Sequence, residues 1–137
     1  MVDQQVVDTL AGLTLFADLG RPQLTAVAHT FSEDSFPPGQ RILRQGFTGS
    51  GFHVILEGEV GVVIDGEERV RLGKGDFFGE ISVLLGEAPV ADITARTPLR
   101  VLHLAGPDLH PFLLAYPQVM YRMLQSVSRR LVRANAR

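Results

Sequence analysis

The chain has 137 residues, 45% hydrophobic and 20% charged, which suits one ordinary soluble domain with a single core. It has no cysteine, so disulfides and thiolate metal sites are excluded. The net charge of −2 is unevenly spread, because Arg122, Arg129, Arg130, Arg133 and Arg137 all follow Tyr116 whereas the fifteen acidic residues all precede it. A basic end can mark nucleic-acid contact. The plainer reading is cations that complement a helix C-terminus and solvate its outer face. The N-terminus carries Asp3 and Asp8 and has no basic region followed by an apolar run. No apolar run approaches the ~18–20 residues that a membrane helix needs. The expectation is therefore a cytoplasmic protein with no membrane span.

In chain order, Val6, Val7 and Leu10 recur at helical spacing within residues 3–11 and predict a short amphipathic helix. A second helix is predicted from Pro22, a favoured first-turn residue, to Ala28 or His29, with Leu24, Val27 and Ala28 as its buried stripe. From Phe31 the period changes to alternation. Pro37-Pro38-Gly39 is a turn, Arg41–Arg44 a short strand, and Gln45–Gly51 a glycine-rich loop. Phe52–Leu56 and Val60–Ile64 read as strands around the turn Glu57-Gly58-Glu59. Asp65-Gly66 is a hairpin signal that returns the chain through Val70 and Leu72. Short strands joined by Gly and Pro turns at about 8–12-residue spacing argue for a β sandwich or barrel.

Residues 75–97, GDFFGEISVLLGEAPVADITART, place the turn Gly75-Asp76 before Gly79 and a short apolar run, Ile81 to Leu85. Gly79 lacks a Cβ and permits close backbone approach of a ligand. A helix starting at Glu80 would present unpaired N–H groups that suit an anion. Ala91, Ile93 and Ala95 alternate as a strand, and Leu99–Leu104 is the last strand, ended by Gly106-Pro107-Asp108. Leu109–Ala115 is a short helix. From Gln118 a long amphipathic helix places Val119, Met120, Met123, Leu124, Val127, Leu131 and Ala134 on one broad face.

The 75–97 stretch resembles the phosphate-binding cassette of cyclic nucleotide-binding domains, whose pattern is roughly F-G-E-[IL]-[AS]-L followed by G-x-P-R-[ST]-A-x-[VI]-x-A. Phe78, Gly79, Glu80, Ile81, Ser82 and Val83 match its first part, and Ala91, Ile93 and Ala95 its end. The segment Leu13–Leu19 resembles the family's entry to its second helix. The resemblance implies a mainly β jelly roll (double-stranded β-helix) with flanking helices. The whole chain, 1–137, is then one domain, with N-terminal helices over 1–30, the roll over 31–106 and C-terminal helices over 107–137. It implies a ligand site at Gly79, Glu80, Ile81, Ser82, Pro89, Val90 and Ala91, in which Glu80 accepts a hydrogen bond from a ribose 2′-hydroxyl. It also implies a long helix that covers the pocket or pairs two subunits. The apolar stripe of that helix is too wide for one small barrel to cover, so the expectation is a homodimer through Val119, Met123, Val127 and Leu131.

The middle of the cassette departs from the pattern. Pro89 stands where the family's arginine contacts the cyclic phosphate, and Val90 stands in place of the hydroxyl residue. Proline has no N–H to donate. Losing a charge-assisted contact costs about 1.5–3 kcal/mol, roughly ten- to a hundredfold in affinity. Arg96 falls on the opposite strand face, and Arg69 and Arg71 alternate with Val70 and Leu72 toward solvent, so none replaces it. The expectation is a regulatory ligand-sensing module, not an enzyme, that needs no cofactor and binds cAMP weakly or not at all. Its ligand would be a cyclic nucleotide or another small anion. The alternative is a ligand-independent dimerisation or protein-interaction domain. A cupin-like metal enzyme is the outsider, because His29, His53, His103 and His110 show no ligand spacing. The Gln45–Gly51 loop lacks the Lys-Ser/Thr ending of a nucleotide P-loop. The chain reaches Arg137 without a helix-turn-helix, so no DNA-binding domain is expected within it.

Overall fold

A computed structural model describes residues 3–47 and 51–135; the middle of the glycine-rich loop, residues 48–50, lies outside them. Helix α1 (Gln4–Ala11) begins where the Asp3 carboxylate accepts the Gln5 N–H at 2.8 Å. A single 3-10 turn, Thr14–Phe16, leads to α2 (Arg21–Thr30), which carries Pro22 in its first turn. Among the described residues eight strands follow: β1 (Ser32–Phe36), β2 (Arg41–Leu43), β3 (Gly51–Glu57), β4 (Val60–Ile64), β5 (Glu67–Leu72), β6 (Phe77–Phe78), β7 (Asp92–Ala95) and β8 (Leu99–Ala105). Helix α3 (Glu80–Leu85) lies between β6 and β7, and α4 (Gly106–Ala115) and α5 (Pro117–Asn135) close the chain.

Among the described residues the strands form two four-stranded antiparallel sheets in the orders β1-β8-β3-β6 and β2-β7-β4-β5, the β-roll architecture that the resemblance implied. At the tip of the β4–β5 hairpin, Asp65 (φ 53°) and Gly66 (φ 80°) both take left-handed backbone, as a two-residue type I′ turn requires. Two elements were not legible as strands. β1, SEDSF, has no apolar alternation and is mostly exposed; it exists because β8 pairs with it from Ser32–His103 to Phe36–Leu99. β6 is two residues held by His53 and Val54 of β3. The segment Gly106-Pro107-Asp108 does not separate β8 from α4 but is the helix's first turn, where proline lacks only an N–H that would be unpaired anyway.

The inner strand β3 of the first sheet is buried on both faces. Phe52, Val54 and Leu56 of β3, with Leu102, Leu104 and Phe77, pack against α1, α2, α4 and the start of α5. Ile55, Phe78, Leu99 and Val101 point the other way, into the space between the sheets, where they meet Leu43, Val60, Ile93 and Ala95. Hence the unbroken run Gly51–Leu56 is buried throughout instead of alternating.

The C-terminal helix departs from the expected interface. Val119 and Met123 are buried in this domain's own core and Val127 packs against it, so Val119 and Met123 cannot serve a dimer. Met120, Tyr121, Leu124, Leu131 and Val132 are the exposed apolar residues of α5.

His53 is the buried histidine. Its ring stacks on Phe78 at 4.7 Å, lies 4.7 Å from the His103 ring, and donates through Nδ1 to the Gly51 carbonyl at 3.1 Å. Burial, assisted by the nearby His103, lowers its pKa from 6.5 to about 4. Between those values the unfolded chain takes up a proton that the folded chain refuses. The His53 contribution is therefore full above pH 6.5 and falls away as the pH drops to 4. We expect this group to cost about 3 kcal/mol of stability over that window. Thermal unfolding of His53→Gln, compared with the parent at pH 7 and pH 4, should show the variant losing that share of the acid sensitivity.

Candidate functional site

A cavity of about 180 Å³ opens beside the inter-sheet core. Val62, Val70, Leu72 and Ile93 of the second sheet make its apolar wall. All seven residues singled out from sequence, Gly79, Glu80, Ile81, Ser82, Pro89, Val90 and Ala91, line it. They arrive from two segments. Phe77 is buried in the helix-side core and Phe78 in the inter-sheet core, which anchors the start of the cassette on both sides of the sheet. Gly79 (φ 90°) then reverses the chain into α3. A Cβ at Gly79 would collide with the Gly51 carbonyl oxygen. The glycine is thus required by the crossing of two backbone segments, whereas the sequence had tied it to a ligand.

Glu80, the first residue of α3, is 4% exposed. Its Oε2 accepts a hydrogen bond from Arg130 Nη1 at 3.2 Å. Burial raises the pKa of this carboxyl, and the Arg130 charge opposes the rise. Arg130 also donates from Nη2 to the Phe77 carbonyl at 2.8 Å and lays its guanidinium over the Phe77 ring, 4.4 Å from the centroid. One side chain of α5 therefore grips both ends of the Phe77–Glu80 turn. Ser82 is buried in the same wall. Pro89 is buried, its carbonyl accepting the Gly46 N–H at 2.9 Å, while Val90 stands exposed at the mouth.

Arg130 is the site residue that sequence reasoning missed. Arg69, Arg71 and Arg96 are away from the cavity as expected, paired with Glu67, with Glu68 and Glu59, and with Glu68 respectively. The cation comes instead from 50 residues beyond Glu80. A signal for it was present: Arg130 is seven residues after Met123 and three after Val127, on the inward stripe of α5. Among the described residues no group of three His, Asp or Glu side chains could hold a metal, and no helix is long and apolar enough to cross a membrane.

Residues 33–116 match the cyclic nucleotide-binding domain family. The chain belongs to that family. This cyclic nucleotide-binding domain is 37% identical over 100 residues to a cGMP-dependent protein kinase of Caenorhabditis briggsae, an alignment covering 69% of this chain and 13% of the kinase. The chain thus spans only a small part of that relative's length. Among solved structures, the catabolite activator protein of Thermus thermophilus superposes with a TM-score of 0.79 at 27% identity, over 89% of this chain and 60% of that one. The regulatory subunit of a cAMP-independent protein kinase A from Trypanosoma brucei superposes with a TM-score of 0.76 at 30% identity, over 92% of this chain and 47% of that one. A substituted form of that subunit is described as bound to cAMP in its A site.

The Arg130–Glu80 contact can be measured. Arg130→Ala leaves a buried carboxylate without its partner, and we expect it to lower stability by about 1.5–3 kcal/mol. Glu80→Gln removes the charge that needs pairing, so the double variant should lose less than the sum of the singles. Denaturant unfolding of the four proteins checks this; strictly additive losses would mean that the pair contributes nothing.

Proposed function

We propose that this domain is a regulatory ligand-sensing module, not a catalyst, and that its pocket binds cAMP weakly or not at all. One observation carries the reading. Pro89 and Val90 line the pocket where the family's phosphate-binding residues belong, and the one cation lining it among the described residues, Arg130, is already committed to Glu80 and the Phe77 carbonyl. A nucleotide whose ribose used Glu80 would have to compete with that guanidinium. The rest of the lining is mainly apolar, which offers a charged phosphate little in exchange for its water. The 30% likeness to a regulatory subunit described as cAMP-independent supports the same reading.

Calorimetry with cAMP tests it. The parent protein should show no submicromolar binding. Pro89→Arg with Val90→Ser restores a charge-assisted contact and a hydroxyl, and should raise affinity by roughly tenfold or more. Adding Glu80→Ala should remove much of that gain. Tight binding by the parent protein would sink the proposal, as would a double variant that folds by circular dichroism yet gains nothing.

A second reading, pairing of two copies, is favoured by the exposed apolar face of α5, where Met120, Leu124, Leu131 and Val132 are open to solvent. A two-fold dimer would cover it. Under this reading the parent protein runs as a dimer in light scattering and Leu124→Glu runs as a monomer. A monomeric parent at high concentration rules the pairing out.

A further inference from the structure

We propose that a second cleft, which shares only Arg130 with the apolar pocket, binds a small phosphate-type polyanion. The cleft has about 260 Å³ and lies between the 3-10 turn, the Lys74–Phe77 turn and α5. α5 presents Arg122, Ser126, Arg129, Arg130 and Arg133 to it, a spacing that places them along one side of the helix. Two of these cations are committed. Arg122 makes a bidentate pair with Asp18 at 2.8 and 2.9 Å, and Arg130 is held by Glu80.

Lys74, Arg129 and Arg133 have no carboxylate partner among the described residues. The one acid in the lining, Asp76, turns Oδ2 to the Gly73 N–H at 2.9 Å. Three uncommitted cations thus share a recess with one carboxylate. Arg129 and Arg133, four residues apart on a helix, repel each other unless an anion lies between them. Planar guanidinium groups match phosphate oxygens in pairs, and Lys74 adds a point charge from the opposite wall. The Ser126 and Thr14 hydroxyls line the same recess. A water takes about 30 Å³ of liquid, so the cleft has room for a diphosphate-sized group. The proposal is independent of what the apolar pocket binds.

The same chemistry could come from a free polyphosphate or from a phosphorylated lipid headgroup, and two arms separate them. The full chain is titrated with inorganic pyrophosphate at low ionic strength by calorimetry. In parallel it is sedimented with phosphatidylcholine vesicles with and without phosphatidylinositol bisphosphate. Binding in at least one arm is expected, weakening as salt is added. The variant Arg129→Gln with Arg133→Gln alters two exposed residues near the end of α5 and should keep its circular dichroism spectrum. It should bind at least about tenfold more weakly. Pyrophosphate binding that needs the two arginines identifies a free polyanion; vesicle binding alone that needs them identifies a headgroup. The proposal is overturned if neither probe binds or if the double variant binds as well as the parent.

Discussion

A buried carboxylate must find a partner, and Glu80 finds one on the last helix of the chain. Arg130 reaches the pocket wall, accommodates the Glu80 charge and caps the Phe77 carbonyl at the same time. The lone-pair and charge requirements of the cassette are thereby met from within the protein. This contact joins the long helix to the turn that defines the pocket, so the position of α5 and the electrostatic state of Glu80 are one problem. Anything that displaces Arg130 must offer Glu80 another donor or leave it to take up a proton.

The sheet β1-β8-β3-β6 makes this arrangement possible. It separates two apolar cores, one under the helices and one between the sheets, and it contributes side chains to both. Phe77 and Phe78, adjacent in sequence, anchor one residue in each. The chain that follows them has little freedom, and Gly79 turns it against the Gly51 carbonyl where no side chain would fit. The shape of the cassette is thus a consequence of close backbone packing.

Helix α5 divides its surface three ways. Val119, Met123 and Val127 face the core; Arg122, Ser126, Arg129, Arg130 and Arg133 face the polar cleft; Leu124, Leu131 and Val132 face outward. A single broad apolar stripe is how the helix reads from spacing alone. In the fold its apolar residues serve two different directions, with a cationic strip beside them. The bidentate Arg122–Asp18 pair ties the helix to the loop after the 3-10 turn and holds the Asp18 carboxyl below its ordinary pKa.

The sequence by itself pointed to the family and the roll, and it singled out seven of the residues that line the pocket. Those rest on local signals: glycines at turns, alternation in β4 and β7, and the Phe78–Val83 motif, all of which act over a few residues. β1 and β6 were not legible, because their strand state comes from pairing with β8 and β3 and not from their own side chains. The pairing of Glu80 with Arg130 was also decided only by tertiary structure, as were the burial of Val119 and Met123 and the closeness of His53 to His103. Each joins residues far apart in the chain, and helical periodicity shows which positions share a face without showing what that face meets. Spacing along a chain limits which groups can meet, but packing of the whole molecule selects which of them do.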